Sequence, residues 1–212
     1  MKAPYEHMDR SCVLAGSLNP GIIQPAWLSA HNVVAQEGLE WDLEIAIGAP
    51  TPVFRDQHLR WECLHNRLSV TAIDGVSNPG EAVAATFRIL LHTPVSAVGN
   101  NLSFILHDEA AKRSLADALG CGVEDRLAKF DLPPSASSST FKVGANEALL
   151  NLKLERSDQG VDMVSFNFHR ACPAVIVAND STETPAVAAA SMWAQDEIKA
   201  REIMDKLLGG SS

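Results

Sequence analysis

The sequence predicts an α+β protein, a mainly antiparallel sheet built from hairpins with helices packed on one face. Three stretches carry that expectation. Residues 59–74 read as two alternating strands joined at His65-Asn66. Leu59, Trp61 and Cys63 lie on one side and Arg60 and Glu62 on the other. Residues 148–170 hold a second hairpin. Leu150, Leu152 and Leu154 alternate on the way out, and Val164, Phe166 and Phe168 on the way back, around Ser157-Asp158-Gln159-Gly160. Residues 185–208 then form a long amphipathic helix, with Thr184 as its cap and Pro185 at its first position.

The other elements follow from the same two periods. Residues 1–10 read as a loose lead-in, and 12–17 as a first strand stopped by Asn19-Pro20-Gly21. Pro25 opens a helix, PAWLSAHNVV, ended by Gly38. Residues 41–47 alternate Trp41, Leu43, Ile45 and Ile47 with Asp42 and Glu44, a strand with one wet face that Pro50 and Pro52 break. After Asn78-Pro79-Gly80 a helix spans 81–91, with Val83, Phe87, Leu90 and Leu91 inward. Glu81 suits its positive end, and Thr93 before Pro94 stops it. Residues 95–106 form a strand in which Gly99-Asn100-Asn101 marks a bulge or a close backbone approach. DEAAKRSLADALG (108–120) is a helix with acids in its first turn and Gly120 at its end. PPSASSST (133–140) is a loop and a boundary. Residues 141–143 open another strand and 175–177 a short last one. A hairpin followed by a helix thus occurs twice, 59–74 into 81–91 and 148–170 into 185–208. The chain reads as one domain over 1–212, or as two similar halves, 12–131 and 141–208, without repeated residue identities.

Composition bounds the function. The 212 residues are 46% apolar and 20% charged, ordinary for a globular protein long enough to bury a core. A net charge of -9 with no basic run argues against nucleic acid as the partner. No stretch approaches the roughly 18–20 apolar residues of a membrane helix. Glu6, Asp9 and Arg10 stand where an export signal would need its apolar core, so the expected setting is cytoplasmic. Cys12, Cys63, Cys121 and Cys172 are far apart and never form CxxC. They read as buried thiols rather than disulfides or a zinc site. No GxGxxG, GxxxxGK[ST], GxSxG or HExxH occurs, so neither a cofactor nor a catalytic residue is assigned.

Two groups of candidates remain. Gly99, Asn100 and Asn101, with side-chain amides, and His107 are candidates for a ligand-binding wall. A bulge explains the first three equally well, and the acids after His107 suit a helix start. On the final helix Ala189, Met192, Trp193, Ala200, Ile203, Met204 and Leu207 form one stripe. That stripe covers the chain's own sheet or, alternatively, serves as a partner or dimer face through Met192, Trp193, Asp196, Ile203, Met204 and Leu207. Asp196 inside the stripe is costly to bury without a partner.

The phrases IIQPAWLSAHNVV, LRWECLHNRLSVTA and FRILLHTPVSAVGNN together resemble a set of bacterial conserved proteins of no established activity. The resemblance covers roughly residues 12–106. It implies a short helix, a Trp-centred hairpin, a helix ending in a Leu-His-Thr-Pro phrase and a Gly-Asn strand, in a bacterial cytosolic setting, and it supplies no site residues. Three functional readings follow. The first is a non-enzymatic protein-binding or assembly module that self-associates through a sheet edge or the final helix. The second is a small-ligand pocket protein or enzyme whose sheet grips the final helix. The third is an acidic inhibitor or immunity-type protein that masks a basic partner.

Overall fold

A computed structural model describes residues 5–35, 40–46, 49–118, 137–145, 148–157, 160–173 and 183–208. The elements in order are β1 (Tyr5–Gly16), α1 (Pro25–Ala30), β2 (Glu40–Ala46), β3 (Ala49–Arg55), β4 (Leu59–Cys63), β5 (Arg67–Ala72) and α2 (Pro79–Ile89), followed by β6 (Val95–Leu106), α3 (Glu109–Ala118), β7 (Ser137–Ala145), β8 (Ala148–Ser157), β9 (Gly160–Ala171), α4 (Pro185–Ser191) and α5 (Trp193–Leu207). The class is α+β with antiparallel strand pairs, as the sequence predicts. The chain forms two compact units. The larger holds Arg10–Asn101 and Phe168–Asp196; the smaller holds Met1–Asp9, Leu102–Asn167 and Glu197–Ser212.

In the larger unit the strand order is β2-β3-β4-β5-β1-β6-β9. The β4–β5 hairpin closes through Leu64 N–H donating to the Arg67 carbonyl at 2.7 Å, so His65-Asn66 is the tight turn expected. Trp61 pairs with Val70 and Phe54 across the ladders, and its ring stacks on Phe54 at 5.6 Å. Cys12, Leu14, Leu68 and Val70 are buried with them, and so are Val83 and Phe87 of α2 and Val187 and Ala190 of α4. In the smaller unit, where the order is β1-β6-β9-β8-β7, Phe104 is the hub. Tyr5 and Phe166 meet its ring edge-on at 5.2 and 5.7 Å. Leu150, Leu154, Val164, Ala200 and Met204 complete that core.

Several expectations are corrected. Residues 5–9 are strand rather than lead-in, because Tyr5 and His7 pack on Phe104. Helix α1 stops at Ala30, not near Gly38. Asn32 takes the left-handed φ of 57°, Asn32 N–H donates to Ser29 O, and Val33 N–H donates to Leu28 O, which together end the helix. Pro50 and Pro52 lie inside β3, opposite Ile45 and Leu43. The β3–β4 ladder spans only Val53–Arg55, so both prolines sit where β3 is paired on one side, and there a missing N–H is tolerated. Strand β6 spans Val95–Leu106 with Gly99-Asn100-Asn101 inside it, so these residues do not interrupt the strand. Ser137–Thr140 belong to β7, paired with Arg156–Lys153 of β8, so the serine run yields to a ready ladder. Residues 133–136 and 175–177 lie outside the described residues.

Two local devices hold the larger unit's turns and helices. Asp74 accepts bonds from Val76 N–H, Ser77 N–H, the Ser77 hydroxyl and His58 Nδ1 in the turn where Gly75 takes φ 74°. Burial alone would raise its carboxyl, but the bonds together hold it well below the usual carboxylate range. At the start of α2, a Cβ on Gly80 would stand 2.3 Å from Trp193 Cβ and 2.4 Å from the Ala190 carbonyl oxygen. Only glycine lets these helices approach so closely.

Two predictions follow from these contacts. Gly80→Ala lowers stability by about 1–3 kcal/mol through overpacking, read as a drop in the urea midpoint; an unchanged midpoint refutes the tight contact. Asp74→Asn is less stable than the parent at pH 7. A folded-state pKa below the unfolded one stabilises above the ordinary carboxylate range, near pH 4, and that contribution fades on acidification. The gap between the two proteins therefore narrows as denaturation is measured toward pH 2.

Candidate functional site

Asp196, inside the apolar stripe of α5, is fully buried. A carboxylate there needs partners, and it has them. Arg170 near the end of β9 forms a two-pronged bond, Nη1 to Oδ2 at 2.6 Å and Nη2 to Oδ1 at 2.7 Å. Asn100 of β6 donates Nδ2 to Oδ2 at 2.8 Å and to the Ala189 carbonyl at 3.2 Å, next to the interruption between α4 and α5 at Met192. Trp193 lies beside this group. Its Nε1 donates to the Ser11 carbonyl at 3.3 Å, and the Arg10 guanidinium lies 4.9 Å from its ring centre. Burial, then Asp196, pushes the Cys12 thiol above its usual range while Arg170 pulls the other way, so the thiol stays protonated and inert. Both Asp196 oxygens accept hydrogen bonds and the side chain is closed to solvent, so the group ties β6, β9 and the α4–α5 junction together.

The sequence candidates divide accordingly. Gly99 and Asn100 are buried, and Asn101 is half-buried with Nδ2 at 3.4 Å from the Ser11 hydroxyl. His107 belongs to the smaller unit, exposed and 2.8 Å from Glu6. Trp193 and Asp196 are buried in the larger unit and Met204 in the smaller, while Met192, Ile203 and Leu207 are half-buried. Asn100 and Asp196 are thus brought together, through a residue the sequence reading passed over. Arg170 continues the inward parity of Val164, Phe166 and Phe168, and that alternation was the signal for it. In the smaller unit an ion cluster joins the start of β1 to α5: Glu197 lies 3.2 Å from His7 and 3.0 Å from Arg201, which also bonds His7. The Tyr5 hydroxyl donates to Asp205 at 2.9 Å, and burial followed by that bond pushes the phenol up to about 12. Among the described residues no group of three His, Cys, Asp or Glu is placed to hold a metal.

A cleft of about 960 Å³ opens in the larger unit where α2 ends and α4 begins. Its position follows from the Leu-His-Thr-Pro phrase. Thr93 N–H turns back to the Leu90 carbonyl, and Pro94 sends the chain into β6. Ser17 N–H then bonds the Pro94 carbonyl at 2.8 Å, an approach only Gly16 permits, since a Cβ there would lie 2.3 Å from that oxygen. Phe87, Leu90, Leu91, Val95 and Ala186 give the cleft apolar walls. Ser17, Asn66 and His92, all exposed, contribute polar groups at its mouth. Cys172 also lines it, with Sγ 3.8 Å from the Arg170 carbonyl and its thiol raised by burial.

No protein-family model matches the chain, and no curated protein matches it. The site therefore rests on its geometry.

Asp196→Ala leaves Arg170 buried without its carboxylate and costs about 3–5 kcal/mol, measured by urea denaturation. The apolar pair Asp196→Leu with Arg170→Met costs clearly less, because no charge is then stranded. Equal losses in the two variants contradict the pairing.

Proposed function

We propose that the protein is a non-enzymatic binding module and that the cleft at the end of α2 is its binding site. The observation that carries this reading is the cleft itself. Its volume falls in the roughly 300–1,000 Å³ range of ligand sites, and its apolar walls and polar mouth are the usual make-up of such sites. Binding rather than catalysis is supported by the state of the polar groups along it. The Ser96 hydroxyl donates to the Ala15 carbonyl, Thr184 Oγ1 accepts from Val187 N–H, and Cys172 Sγ is bonded to backbone. No activated nucleophile with an adjacent base is assembled from them.

A screen of small apolar fragments by NMR tests this. Hits are expected to move the signals of Leu90, Leu91 and Ala186. Leu91→Trp, which fills the cleft from a half-buried position, is expected to weaken them by roughly tenfold or more. Hits that map elsewhere, or that survive Leu91→Trp unchanged, reject the site.

Self-association is a second reading, favoured by the position of β2. It ends the larger unit's strand order, carries no proline, and alternates Trp41, Leu43 and Ile45 with acids. An edge strand of that kind offers backbone groups to another chain. Native mass spectrometry is expected to find a dimer or larger assembly that Leu43→Pro reduces to monomer. A monomeric parent protein at micromolar concentration rejects it.

A further inference from the structure

We infer that the cleft is built for an uncharged amphiphile, an apolar body ending in a neutral hydrogen-bonding group such as an alcohol or amide. The inference rests on the reading of the cleft as a binding site and adds the class of ligand. Among the described residues that line it, none is Asp, Glu, Lys or Arg. Arg88, the cation on α2, is engaged by Glu81 at 2.9 Å and the Ser191 hydroxyl at 3.4 Å. The start of α4 does not substitute for a cation. Pro185 has no N–H, and the Val187 N–H is taken by Thr184, so the run of free donors that holds an anion is missing.

A carboxylate or ammonium drawn past the mouth, between the apolar walls, would give up water and meet no Asp, Glu, Lys or Arg among the described lining residues. A neutral end group faces no such cost. At the mouth Ser17, Asn66 and His92 offer hydroxyl, amide and imidazole groups, donors and acceptors together, which suit an alcohol or amide in either role. The walls formed by Phe87, Leu90 and Leu91 take the alkyl body. Charge and shape thus point to the same occupant.

Four probes of one chain length separate the possibilities: octanol, octanamide, octanoate and octylammonium. They are titrated into the full chain at pH 7.5, with affinity from calorimetry and location from the NMR signals of Leu90, Leu91 and Ala186. Octanol and octanamide are expected to bind there roughly tenfold or more tighter than either ion, the margin that an unpaired charge imposes. If octanoate or octylammonium binds at those residues as tightly as octanol, the neutral-ligand inference is overturned while the cleft remains a binding site. If none of the four moves those signals, the cleft reading fails, and this inference fails with it.

Discussion

A carboxylate kept from water sets the terms for the larger unit. Asp196 is fully buried, and its bonds to Arg170 and Asn100 leave the helix little freedom in how it lies. An apolar stripe alone would tolerate rotation or sliding of a helix over the sheet. A two-pronged guanidinium bond does not, because both oxygens must meet both nitrogens at once. Buried ion pairs add little net stability over apolar replacements; a role in specifying one arrangement is the better-attested use. Here the arrangement specified is the seat of the α4–α5 junction on β6 and β9.

The other close contacts follow from that seat. With Asp196 fixed, Trp193 covers the group and reaches the Ser11 carbonyl, and Gly80 must give α2 room to pass. A cleft opens at the end of the unit, where Pro94 diverts the chain and Gly16 lets β1 close on it. The lock and the cleft therefore divide the work. One uses buried charge to fix geometry; the other is free of formal charge among its described lining residues and open to solvent.

Much of this was legible in the residues. The Trp61 hairpin, the second hairpin and the α2 helix follow from period and capping, and the class follows from their order. The expected single helix over 185–208 starts as predicted at Thr184-Pro185 but is two helices, α4 and α5, divided at Met192. The misses have physical causes. Pro50 and Pro52 signal a break only if a strand needs both neighbours, and β3 has one neighbour at that point. Asn32 ended α1 because asparagine enters left-handed geometry, a weaker mark than the Gly38 chosen. Ser137–Thr140 look like loop until β8 supplies a ladder. The cost of burying Asp196 was readable from one stripe, and Asn100 stood out by its amide. That they bond each other needed the topology that sets β6 beside β9. The cleft had no sequence signature beyond Thr93-Pro94, since its walls come from distant segments.

Amide hydrogen exchange tests the central claim most directly. If the Asp196 group fixes the larger unit, the amides of Asn100, Arg170 and Asp196 exchange only through global unfolding, with protection equal to the most protected strand amides. Exchange of those three amides by a faster, local opening, while Trp61 and Val70 stay protected, would contradict it.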